Sequence, residues 1–284
     1  MQDIISRQRA YFDTNATKPI SFRIEQLRRL MRALERHEGT LRGAIAADYG
    51  KRGYETFITE LLPVYGEIGA AIANVAAWST PSVVASSPFT SPGRCYVMPE
   101  PLGVSLVIGP WNYPVQLTLV PAVAALAAGC TVVLKPSEMT TNTSAVIASL
   151  IAEAFDPAYL TVVEGGVSET SALLAQRFDM IFFTGSVAVG RIVYQAAAKN
   201  LTPVVLELGG KSPTIVTPDA NLPLAARRIA WAKFLNAGQT CIAPDYVYVH
   251  RAVYEDFLLA LAKEIASSRY GLENQNFVQI VNAR

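Results

Sequence analysis

The chain has 284 residues, 51% of them hydrophobic and 17% charged, and its 24 lysines and arginines nearly balance 23 aspartates and glutamates for a net charge of +1. Such a composition describes a globular protein with a sizeable core, long enough for about two domains of roughly 150 residues each. It gives no clustered basic surface for nucleic acid, and three scattered cysteines, Cys95, Cys130 and Cys241, with no C-x-x-C pair, suggest neither a metal site nor a disulfide framework. A reducing, cytoplasmic compartment is expected, and the polar stretch "MQDIISRQRA" does not read as a secretory h-region.

The first elements are helical, with patterns over 2–14, 21–47 and 52–78. In the second, Ile24, Leu27, Leu30, Met31 and Leu34 recur at helical spacing, so the many cations around them form a wet face. The proline- and serine-rich stretch 79–98 then reads as an excursion of extended chain, too polar for a core element.

From Leu102 the rhythm changes. The runs "LGVSLVIG", "CTVVLKP", "LTVVEGG", "MIFFTGS" and "PVVLELGG" are strands, and the segments between them have helical character. Five such runs alternating with helices predict an α/β fold with a doubly wound parallel sheet. No charge occurs between Glu100 and Lys135, but Pro110, Pro114, Pro121 and Gly129 punctuate the stretch. It therefore reads as strand, loop, helix and strand rather than as a membrane span. A second α/β unit follows "KSPTIVTPDAN", with a helix near 222–236, a strand "YVYVHR" and a helix over 252–269. That is too little to bury a separate core, and an incomplete second domain is expected.

Ligands of such sheets bind at the carboxyl ends of the strands. Gly185 and Gly190 flank a strand-to-helix turn whose amides suit a phosphate, although two glycines are a weak signal and a plain tight turn reads equally well. Lys135 ends a strand where it can reach a phosphate or ribose oxygen, and Glu138 can accept from ribose hydroxyls; a merely solvated lysine is the alternative. Glu207 sits in an apolar strand, where burial would raise its pKa toward that of a general base. Pairing with a buried arginine or with backbone amides is the alternative. Asn112, held between prolines in "PWNYP", suits either an oxyanion donor or ordinary turn chemistry. Cys241 in "NAGQTCIAP" reads singly as a core thiol or a nucleophile, and neither His37 nor His250 has a motif that would activate it.

Taken in order, "GPWNYP", "LKPSE", "FFTGS", "LELGGKSP" and "NAGQTCIAPDYV" resemble the signatures of the aldehyde dehydrogenase superfamily, and "EPLGVSLVIGPWNYP" and "QRFDMIFFTGS" resemble its class 3, fatty aldehyde dehydrogenase-like branch. The resemblance runs over essentially the whole chain. It implies a Rossmann-like NAD(P)-binding domain over 1–78 and 99–207, a part of a bridging sheet at 79–98, and the start of a catalytic domain at 208–284. It also implies that Cys241 is the nucleophile, that Asn112 and the Cys241 backbone N–H form the oxyanion hole, and that Glu207 activates water.

By the same resemblance Lys135 and Glu138 meet the adenosine ribose, Ser186 the pyrophosphate and Val189 the adenine, with Gly185 and Gly190 shaping that turn. Trp111, Leu208 and Gly209 line the nicotinamide side, while Tyr113, Trp231 and Tyr65 wall the channel of an apolar aldehyde. Glu138 opposes a 2′-phosphate, so NAD is expected over NADP, with NADP kept as the alternative because this branch takes both. The chain stops short of the family's usual length, before its Glu-x-Phe-Gly-Pro motif and the strand that pairs subunits in family homodimers. A dinucleotide-binding or subunit-interaction fragment without turnover, and a thiol hydrolase or acyltransferase, are therefore the competing expectations.

Overall fold

The computed structural model describes residues 1–271, 273 and 276–282. Helices α1 (Gln2–Asp13) and α2 (Ile20–Tyr49) are followed by α3 (Gly53–Thr56), which runs through a π turn at Phe57–Leu61 into α4 (Leu62–Trp78). The unbroken helix expected over 52–78 thus contains one wider turn. Pro63, at the start of α4, has no N–H to give the ladder, and just before it the Leu62 N–H bonds to the Phe57 carbonyl, five residues back. The polar excursion after α4 forms a short antiparallel ribbon, β1 (Ser82–Val84) and β2 (Cys95–Val97). It is exposed almost throughout, and Phe89 between its strands is 99% exposed, so it contributes nothing to the core.

The alternating region folds as β3 (Val104–Ile108), α5 (Gln116–Ala128), β4 (Thr131–Lys135), α6 (Thr141–Ala154), β5 (Leu160–Val162), α7 (Val167–Leu174), β6 (Met180–Gly185), α8 (Val187–Ala198) and β7 (Val204–Leu208). The five strands are parallel in the order β5-β4-β3-β6-β7. The chain winds outward from β3 on one side and resumes at β6 on the other. The doubly wound parallel sheet is therefore present, and its switch point lies at the carboxyl ends of β3 and β6.

Strands β3 and β4 are buried on both faces, yet their side chains still alternate between two cores. Val104, Leu106, Ile108 and Val133 pack with Ile5 of α1, Phe178, Phe183 and Val193. Val107, Val132 and Leu134 pack under α2, α4, α5 and α6, with Leu27, Leu34, Ile68, Leu119 and Ile147. The charge-free stretch after Glu100 is β3, loop, α5 and β4, as its prolines imply. Among the described residues, Gly53–Trp78 is a helix long and apolar enough to cross a membrane, but Val64, Ile68, Ala71 and Val75 on it are buried in this second core.

A separate two-stranded parallel sheet, β8 (Ser212–Val216) with β9 (Pro244–Val249), carries α9 (Leu222–Phe234) and α10 (Tyr254–Ser268). The sequence reading treats 211–221 as a lead-in, but Ser212–Val216 is a full strand. One face of this sheet closes on Val216, Ala226 and Phe257, while Ile215 and Tyr248 on the other stay exposed. Helix α9 ends at Phe234, short of the expected 236, for a reason that lies in the site. Near the described C-terminus Val278 returns to the second core, and the Gln279 N–H donates to the Tyr49 carbonyl at 2.9 Å.

Helices α2 and α6 are tied by Asp48. Its carboxylate accepts from the Asn142 and Thr143 backbone N–H groups, the Asn142 side-chain amide and the Thr143 hydroxyl, at 2.6–3.1 Å. An anion borrowed from a neighbouring helix thus caps the first turn of α6. Asp48→Ala is expected to lower stability by about 1–2 kcal/mol, the usual cost of losing such a cap, read as a shift in the urea midpoint at unchanged slope.

Candidate active site

Two loops meet at the thiol. One runs from β3 into α5 and carries Trp111, Asn112 and Tyr113; the other runs from α9 into β9 and carries Asn236 to Cys241. In the second loop Asn236, Ala237 and Gly238 are all left-handed, with φ of 54°, 54° and 74°. A helix cannot pass through three such residues, so α9 stops at Phe234 and the chain turns sharply into Gln239, Thr240 and Cys241. Left-handed backbone at non-glycine residues persists only where neighbours hold it. Here Glu55 Oε1 accepts the Asn236 N–H at 2.7 Å, and the Gln239 N–H and side-chain amide both close on the Asn236 carbonyl.

The two asparagines have different duties. Asn236 is fully buried and donates from Nδ2 to the Asn112 carbonyl at 2.9 Å and to the Gln239 carbonyl at 3.2 Å. Both of its side-chain protons are used. Asn112 donates from Nδ2 to the Gln239 carbonyl at 2.9 Å, which fixes the plane of its amide and leaves the second Nδ2 proton for a ligand. Tyr113 is buried, and its hydroxyl bonds Thr240 Oγ1, joining the first loop to the residue before the thiol. Burial pushes the Tyr113 phenol up to about 12, against the opposing Thr240 bond and with help from the Glu60 and Glu55 charges. Cys241 is half-buried with a free thiol. A Cβ on Gly210 would lie 2.6 Å from the Cys241 carbonyl, so only glycine lets the end of β7 come this close.

Glu207 departs from expectation. It lies on β7, at the edge of the five-stranded sheet, and points to the open face as Val205 does, so it is exposed rather than buried. An apolar strand buries a carboxylate only where a layer covers that face, and here that face is open. Leu208 points inward, and Gly209 is exposed.

At the other end of the crevice Lys135 is only 2% exposed, and its ammonium bonds the Pro136 carbonyl at 2.8 Å and Glu138 Oε2 at 3.0 Å. Burial works to raise the Glu138 pKa, but bonds from its own backbone amide and from Lys135 outweigh it and hold the carboxyl below its usual range. Ser186 caps α8 by accepting from the Val189 N–H at 3.3 Å, and Val189 stands exposed beside it. A Cβ on Gly185 would strike the Phe183 ring at 2.6 Å, and one on Gly190 would lie 2.9 Å from Leu208. Gly190 therefore lets α8 approach the sheet closely, while Gly185 leaves room for the Phe183 ring on its own strand.

The other predicted wall residues separate. Trp231 lies on the outer side of α9, 56% exposed, and lines an open pocket of about 340 Å³ with Tyr54, Ile58, Phe234 and Tyr270. Tyr65 packs between α2 and α4, with its hydroxyl given to Glu38 at 2.9 Å. Burial, then that bond, push the Tyr65 phenol up.

Sequence reasoning missed Glu60 and its partners. Glu60 and Lys51 are both wholly buried and lie 2.8 Å apart. The signal was present: Glu60 falls in the stripe Val64, Ile68, Ala71, Val75, where helical spacing calls for an apolar side chain.

The fold and this loop pair define a doubly wound α/β protein that presents a cysteine, beside a held asparagine, near the carboxyl ends of its sheet. The chain belongs to the aldehyde dehydrogenase family, whose profile matches residues 1–281. It is 42% identical over 287 residues to the dimeric NADP-preferring aldehyde dehydrogenase of Canis lupus familiaris, covering 100% of this chain and 63% of that protein. It is 44% identical over 279 residues to the 4,4′-diaponeurosporen-aldehyde dehydrogenase of Staphylococcus aureus, covering 97% of this chain and 61% of that one. The substrate-bound structure of Staphylococcus aureus AldH superposes with a TM-score of 0.95 at 42% identity, over 99% of this chain and 62% of its own. The chain thus spans a little over three-fifths of each of these three relatives.

The Lys135–Glu138 pair gives a pH prediction. A carboxyl held low in the folded state stabilises the protein above its ordinary pKa of about 4.3, and that gain disappears as pH falls through the depressed folded value. Wild type is expected to exceed Glu138→Gln by at most about 1 kcal/mol at neutral pH, the pair being partly exposed. The difference should vanish in acid denaturant titrations.

Proposed function

We propose that this chain supplies the cofactor crevice, the nucleophile and the oxyanion donor for NAD(P)-dependent oxidation of an apolar aldehyde to its carboxylic acid. The observation that carries the reading is the Asn112–Gln239 bond. It joins an amide with one proton to spare to the loop of a half-buried thiol.

The residues fit a dinucleotide. The α8 turn offers a serine cap, and Gly190 lets the helix close on the sheet, a ready anion site. Lys135 and Glu138 give a donor and an acceptor at the end of β4, suited to a ribose. Trp111, Leu208 and Gly209 would hold the ring end, where a bound nicotinamide supplies the acceptor for hydride. Glu138 favours NAD over NADP by repelling a 2′-phosphate, although the canine relative prefers NADP.

The remaining chemistry belongs to the protein. The Cys241 thiolate attacks the aldehyde carbon, and the oxyanion that forms is met by Asn112 Nδ2 and the Cys241 backbone N–H. Loss of hydride from that thiohemiacetal leaves a thioester on Cys241. Glu207, exposed and so open to water, takes the proton from the water that releases the acid. No histidine is required. Tyr113 and the aromatic pocket beside Trp231 suit an apolar substrate, and the Staphylococcus aureus relative is named for a diaponeurosporen aldehyde. The cytoplasm and a homodimer of the whole protein are carried forward as parts of the same proposal.

Cys241→Ala is expected to abolish aldehyde-dependent NADH absorbance while calorimetric NAD binding persists. An unaffected oxidation rate would overturn the reading, and NAD-independent ester cleavage would favour a thiol hydrolase. Asn112→Ala should lower kcat by about a hundredfold, the scale of losing one oxyanion donor, with NAD binding unchanged.

A further inference from the structure

The helical segment from α3 into α4 reaches both loops of the site. Glu55 Oε1 holds the Asn236 N–H of the nucleophile loop at 2.7 Å. Glu60 Oε2 holds the Val115 and Gln116 N–H groups, where the Asn112 loop enters α5, each at 3.1 Å. In an unbroken α-helix, residues five apart point about 140° away from each other. Glu60 sits within the π turn at Phe57–Leu61, which starts two residues after Glu55 and closes with a bond across five residues, and this wider winding brings the two side chains toward a common side. Thr59 supports the turn by donating its hydroxyl to the Glu55 carbonyl at 2.7 Å.

Glu60 is anchored in its turn. Oε1 accepts from Lys51 Nζ at 2.8 Å and from the Tyr49 hydroxyl at 3.0 Å. The Lys51 ammonium also lies 4.2 Å from the centre of the Tyr113 ring, at the distance of a cation–π contact. Every side of Glu60 thus leads back to the loop that carries Asn112 and Tyr113.

We infer that Glu55 and Glu60 form a two-carboxylate clasp whose spacing, set by the π turn, fixes the Asn112 loop against the Cys241 loop. They are positioning residues: neither is assigned a proton-transfer step. The inference deepens the proposed function, since the two loops it aligns are those of the oxyanion donor and the nucleophile. The alignment itself is measurable without turnover.

The test compares wild type, Glu55→Met and Glu60→Gln by hydrogen exchange of segments 111–118 and 235–243, and by the rate of iodoacetamide labelling of Cys241 read by mass spectrometry. Glu55→Met removes the acceptor from a partly exposed site and leaves the buried Lys51–Glu60 pair intact. Loss of one charge-assisted bond predicts about tenfold faster exchange at 235–243, a changed labelling rate at Cys241, and faster exchange at 111–118 through the Asn112–Asn236 bond. Segment 183–190 at the α8 turn should not change.

Glu60→Gln should loosen both loops in the same pattern. If it fails to fold, Glu55→Met decides alone. Unchanged exchange and labelling in Glu55→Met, or loosening spread evenly over the chain, overturns the clasp. Where wild type oxidises aldehyde, both variants should lose kcat with the NAD dissociation constant held. A wild type without turnover counts against the proposed function and leaves the exchange result standing.

Discussion

A carboxylate with no exposed surface is costly unless donors meet its oxygens, and Glu60 has four: Lys51, Tyr49 and the first two amides of the α5 entry. Taking two charges out of water is expensive, and replacing such a pair by apolar groups is often neutral for stability. The pair therefore makes more sense as a device for geometry than for strength. It turns the entry of α5, a point where unpaired amides would otherwise tolerate several loop paths, into a defined one. Tyr49 joins the same network, and burial, then the Glu60 charge, push its phenol up so that it remains a donor.

The strained turn at 236–238 depends on the same segment. Left-handed asparagine is common and left-handed glycine is free, but left-handed Ala237 is costly, about 1–3 kcal/mol by the usual scale of such strain. That cost is offset by Glu55 at the Asn236 N–H and by the buried Asn236 side chain, which spends both protons on neighbouring carbonyls and leaves Oδ1 without a partner among the described residues. Energy is spent locally to turn the chain so that Cys241 emerges beside Asn112.

The legible parts of the sequence were those in which a residue's role follows from its own strand or turn. Five strand runs with polar ends gave the doubly wound sheet, and Lys135, Glu138 and Ser186 lie at strand ends and a helix cap as their positions imply. Roles that depend on a layer brought from elsewhere were not legible. Glu207 was expected to be buried because its strand is apolar, but burial is a property of the face, and β7 is an edge strand with one face open. The bond from the Tyr65 hydroxyl to Glu38 on α2 likewise joins two helices and has no local sequence signal. Strand β8 escaped because two prolines and two threonines flank its short apolar core, although its pairing with β9 is parallel and regular after one shift. Glu60 could have been found, since a charge inside an apolar helical stripe is a local contradiction that asks for a partner.

The two asparagines show why that limit matters for function. Asn112 and Asn236 are alike in chemistry, and both sit in loops rich in small or rigid residues. Their difference is a count of protons: Asn236 has spent both on the carbonyls of Asn112 and Gln239, while Asn112 has spent one on Gln239. The Gln239 carbonyl has two lone pairs and receives one donor from each asparagine, so it is saturated and has no capacity left to draw the second Asn112 proton away. A donor whose plane is fixed by one bond and whose second proton lacks a competing acceptor there is already organised for a developing oxyanion, with little reorganisation left to perform. That assignment rests on which residues share one carbonyl, a fact of the folded loops that no linear spacing contains.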